Sequence, residues 1–130
     1  MIISLAILTT ALLFGGMALY AFGFAGFLFS TLPAATAGTT LRLAFPMFYA
    51  FVIVVSAAAA LLWWPHEQRY AVIMSAIALS TVPVRQLLMP AINRATDAGL
   101  RQRFEWLHGL SVLITLTHIG LTGWLLVQLV

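Results

Sequence analysis

The stretch RQRFEWLHGLSVLITLTH, residues 101–118, sets two arginines, a glutamate and two histidines at the head of an apolar run. These residue types carry three kinds of chemistry. Imidazole relays protons or ligates a metal, a guanidinium holds an anion such as a propionate, and a carboxylate pairs with an arginine. Spacing narrows the choice. His108 and His118 stand about 15 Å apart along a helix and about 80° apart around it, too far to share one small metal ion, which needs something like an i, i+4 pair. Each is still a candidate ligand to haem or copper, but only with a partner from elsewhere, a methionine or a second chain, because the first three helices hold no histidine. The alternative is packing, where a neutral imidazole bonded to Ser, Thr or a carbonyl ties helices together for ~0.6 to 2 kcal/mol.

Other chemistry is excluded by what the chain lacks. With no cysteine, disulfides, thiolate metal sites and cysteine nucleophiles are ruled out. No nucleotide loop, zinc-protease helix, hydrolase elbow or paired acidic constellation occurs. The expectation is a protein without enzymatic activity.

The elements that position these residues follow from composition. Of 130 residues 63% are hydrophobic and 7% charged, with a mean hydropathy of +1.08, so the chain is expected to be an integral membrane protein. Its apolar stretches exceed the ~20 residues a membrane helix needs, and none shows the alternation of a barrel strand. The periodicity predicts one domain, residues 1–130, of four helices at about 3–31, 41–64, 70–89 and 98–129. PAATAGTT and AINRATD are expected as polar connectors, Thr96 or Asp97 as the N-cap of the last helix, Trp63 and Trp64 as headgroup-level anchors, and His66 as a solvated turn residue. Pro46 is placed in the tolerant first turns of its helix, and Pro83 is expected to kink the third. The apolar run from Ile2 to Leu32 is too long for a secretory h-region and has no basic leader, so a retained helix and no cleaved signal is expected.

The net charge of +3 comes from six arginines, three acids and no lysine. They sit at helix ends rather than on a solvated patch, which argues against nucleic acid as a partner. Arg42, Arg85, Arg94, Arg101 and Arg103 share one side against Arg69 on the other. The positive-inside rule then predicts an antiparallel bundle with both termini outside.

On the last helix Arg101, Glu105, His108, Ser111, Thr115, His118 and Thr122 fall within about 140° of the wheel, opposite Trp106, Leu110, Leu113, Leu121 and Trp124. Weaker polar faces run through Arg42, Pro46, Tyr49, Ser56 and Ala60 on the second helix, and through Ser75, Ala78, Val82, Arg85 and Gln86 on the third. Turned inward, these stripes form a polar cytoplasmic half in which Glu105 pairs with Arg85 or Arg42, offsetting a burial cost of several kcal/mol. On the first helix Thr9, Gly16, Gly23, Gly26 and Ser30 line up within about 100°, a small-residue stripe suited to helix docking.

The segments FGGMALYAFGFAGFLF, RLAFPMFYAF and MPAINRATDAGLRQRFEWLHGLSVLITL resemble a bacterial four-helix membrane family of unknown function related to transmembrane protein 205. Its most specific part is Asn93-Arg94, a short connector, then Phe104, His108, Gly109 and Ser111. The resemblance implies a four-helix membrane fold, in a bacterial cytoplasmic (inner) membrane, and brings no reaction. More remotely the architecture is similar to four-helix families linked to copper resistance or protoporphyrinogen oxidation, but the chain lacks a first-helix histidine.

The leading expectation is an accessory subunit or assembly factor packing against the lipid bilayer, other membrane-protein subunits or a second copy. Two alternatives are haem or copper binding through His108 or His118 with Arg101 as anion partner, and transport of a small solute or proton through the polar half.

Overall fold

The computed structural model describes residues 1–130, all of them in helices or in turns of a few residues. Four helices are long and apolar enough to cross a membrane: α1 (Ile2–Thr31), α2 (Ala34–Trp63), α3 (Gln68–Asp97) and α4 (Arg101–Val127). The chain is thus a multi-pass membrane protein by the length and apolarity of its helices.

Both polar segments expected as connectors are helical. Their threonine hydroxyls are satisfied on the helix's own backbone, so the polar residues do not interrupt it. In the first segment Thr39 donates to the Ala35 carbonyl and Thr40 to the Thr36 carbonyl, each at 2.9 Å, and α2 begins at Ala34 instead of residue 41. In the second, Thr96 donates to the Ile92 carbonyl at 3.0 Å. Asp97 therefore closes α3 rather than capping α4, and α3 does not stop at residue 89. What ends α3 is Gly99, whose φ of 66° suits a residue without Cβ. The Leu100 N–H then folds back onto the Ala95 carbonyl at 3.0 Å, as in a glycine-terminated helix.

α3 opens on Glu67, whose carboxylate accepts from the Arg69 backbone N–H and guanidinium. Hydrogen bonds from the Arg69 guanidinium and backbone N–H hold this carboxyl below the usual carboxylate range. Pro46 lies well inside α2, not in its first turns. Following Pro83, the helix widens into a π-helical turn at Val84–Leu88; a second one occupies Leu19–Phe24 of α1.

The helices meet through small residues. A Cβ on Gly16 would lie 2.5 Å from the Phe51 ring of α2, and one on Gly123 would lie 3.0 Å from the Phe14 ring of α1. Around these approaches Leu13, Met17, Val52, Met74, Ile77 and Leu125 are buried. Trp63 is turned into this core rather than out to the headgroups, its indole N–H donating to Thr10 Oγ1 at 3.0 Å; Trp64 stays exposed.

Gly16→Ala and Gly26→Ala gain the same helix propensity, but only the first drives a methyl group into a ring, since nothing lies within 4 Å of a Cβ at Gly26. Chemical unfolding in detergent should therefore find Gly16→Ala less stable than Gly26→Ala by about 1 to 3 kcal/mol. Equal stabilities would show that Phe51 swings aside without cost.

Candidate functional site

Toward one end of the molecule, the second half of α1 and the first half of α4 face each other across a lateral cleft of about 760 Å³. Its floor is aromatic. Phe45, Phe48 and Tyr49 recur at i, i+3 and i+4 on α2, so one face of the helix presents all three. Tyr20, from the π-helical turn of α1, stacks on Phe48 with centroids 4.4 Å apart and meets Phe45 edge-on at 5.7 Å. The Tyr20 hydroxyl is buried without a hydrogen-bond partner, an uncommon condition for a buried polar atom.

The rim is polar. Thr39 and Arg42 of α2, Asn93 and Thr96 of α3, and His108 of α4 border the opening. The Arg42 guanidinium grips Asp97 with two parallel bonds of 2.6 and 2.8 Å, fixing the start of α2 to the end of α3. His108 lies flat on Phe104, centroids 5.3 Å apart and planes 7° from parallel.

The polar stripe of α4 divides in two. Ser111, His118 and Thr122 are buried, whereas Arg101, Glu105 and His108 are exposed. Glu105 pairs with Arg101 of its own helix at 3.0 Å, not with Arg85 or Arg42 as expected. Both of those arginines have other partners, Arg42 in Asp97 and Arg85 in the Pro46 carbonyl, to which its Nε–H donates at 3.2 Å. His118 Nε2 stands 3.0 Å from Ser80 Oγ of α3, beside a void of only about 10 Å³ lined also by Met17, Val52 and Thr81. The two histidines do not converge. His108, on the cleft wall, is the one placed to meet a bound molecule, and His118 is sequestered between helices.

The glycine stripe is divided too. Gly16 is filled by Phe51, while Gly23, Gly26 and Ser30 are exposed, Ser30 donating to the Phe27 carbonyl at 2.9 Å. Sequence reasoning missed the Arg42–Asp97 pair, for which a lone acid among arginines was the available signal. It also missed the aromatic floor, legible in the spacing of RLAFPMFYAF.

Residues 8–101 match a family model described as Domain of unknown function (DUF4149). The match is to that family alone and shows no link to transmembrane protein 205. Comparison with curated proteins and with solved structures returns no match.

The two histidines should part in mutagenesis. Ser80→Ala, which strips His118 of its interhelical partner, should lower stability by ~0.6 to 2 kcal/mol. His108→Ala, at an exposed position, should stay within about 0.5 kcal/mol of the parent. Denaturation in detergent measures both, and the reverse ranking would refute this division.

Proposed function

Because the chain belongs to the DUF4149 family, whose function is unknown, its role has to come from geometry, and we propose that it is a small non-enzymatic accessory or stabilising subunit that works by holding a membrane-resident molecule in the lateral cleft. The observation that carries this reading is a cleft within the size range of ligand sites, ~300–1,000 Å³, lined by aromatic rings with a few polar groups at one edge.

Binding is favoured over conversion by the state of the polar groups. Thr39 and Thr96 bond to their own helix backbones, Ser111 donates to the His108 carbonyl at 2.7 Å, and Arg42 is held by Asp97. None of these forms a nucleophile with an adjacent base. Transport is less well supported, because beyond the cleft the helices close over Met17, Val52 and His118 around the small void, whereas a carrier site opens alternately to both sides. The reading takes the arginine-rich end as cytoplasmic, in a bacterial inner membrane with both termini outside.

Gly38 lines the cleft and Gly109 does not, and a Cβ at either meets nothing within 4 Å. Phenylalanine at Gly38 fills the cleft; at Gly109 it only adds exposed surface. The parent and Gly109→Phe, purified in mild detergent, should carry the same bound component by mass analysis, and Gly38→Phe should lose most of it. Retention by Gly38→Phe at the parental level would overturn the proposal.

A further inference from the structure

Resting on the binding role just proposed, we infer that the cleft holds an anionic phospholipid of the surrounding leaflet, its chains on the aromatic floor and its headgroup at the arginine-rich rim. Two observations support this occupant over the helix of another protein.

The first is length. The cleft starts at the helix ends, at Ala34, Thr96 and Phe104, and reaches Tyr49 and Thr115. Along α2 it runs from Ala34 to Tyr49, about 22 Å at 1.5 Å per residue, which is one leaflet with its headgroup layer, half of the ~40–45 Å bilayer. A spanning helix from a partner would find a groove for only half its course.

The second is charge. The end at which the cleft begins carries Arg42, Arg94, Arg101 and Arg103 against Asp97 and Glu105, a balance of four minus two. Arg94 and Arg103, next in sequence to the cleft-lining Asn93 and Phe104, have no acidic partner. Basic side chains at this level attract an anionic headgroup and are indifferent to a zwitterion.

The test uses the full chain in detergent, with dioleoyl phosphatidylglycerol and dioleoyl phosphatidylcholine as probes, which share chains and differ in headgroup charge. Native mass spectrometry should show the parent retaining the phosphatidylglycerol preferentially. Replacing Arg94 and Arg103 by glutamine should cut that preference by about fivefold per arginine, with phosphatidylcholine retention unchanged. Gly38→Phe should reduce retention of both lipids, and Gly109→Phe neither. Equal retention of the two lipids by the parent overturns the lipid assignment. If Gly38→Phe then still expels a component that copurifies from cells, the cleft remains the binding place and only its occupant was misnamed. If Gly38→Phe displaces nothing, lipid or otherwise, both proposals fall.

Discussion

The closed half of the molecule depends on two rings seated on two glycines, Phe51 on Gly16 and Phe14 on Gly123. In water such contacts would be a detail of a core driven together by the hydrophobic effect. In a bilayer that drive is missing, since acyl chains solvate leucine as well as another leucine does, and close van der Waals fit has to supply the association. α1 carries neither acid nor base, so its attachment rests on this fit and on the Trp63–Thr10 hydrogen bond. Where a ring seats on a glycine the helices close; at Gly26 of α1 and Gly109 of α4 no neighbour comes within 4 Å of a Cβ.

Sequence reasoning placed the helices correctly in number, but made α2 and α3 too short and α4, expected over 98–129 and found over Arg101–Val127, too long. The criteria for ending a helix, small and polar runs such as PAATAGTT and AINRATD, are calibrated on chains whose freed backbone groups bond to water. Here threonines bonded to their own helix keep the chain helical until a residue forbids it: Pro33, which starts α2, and Gly99, which ends α3. Those two positions were the informative ones, and composition around them was not. The extension also moved Asp97 from the head of α4 to the foot of α3, which is what brought its carboxylate to Arg42.

Angular position on a helix wheel was legible, but depth was not. The leucine and tryptophan back of α4 is exposed as expected, Trp106 at 76% and Leu113 at 63%. The opposite stripe shares one direction, yet only Ser111, His118 and Thr122 are buried. A wheel projects the helix onto a plane and discards the axis, so it cannot show that neighbours are close at one level and distant at another. Glu105 was assigned to an arginine across the interior for this reason, when Arg101 one turn away on the same helix reaches it first.

Polar residues along a single stripe thus serve two physical ends. Below the cleft floor a polar group has to be satisfied by protein, and His118 with Ser80, and Thr122 with the His118 carbonyl at 2.9 Å, meet that demand. Above it the groups stand at the level of headgroups and water, where an unshared guanidinium costs little and an approaching anion finds it ready. His108 sits at the border between these regimes, its face covered by Phe104 and its edge on the opening. An imidazole covered on one face and open at its edge is disposed to touch whatever enters the cleft, which makes it the side chain whose environment changes most when the cleft fills.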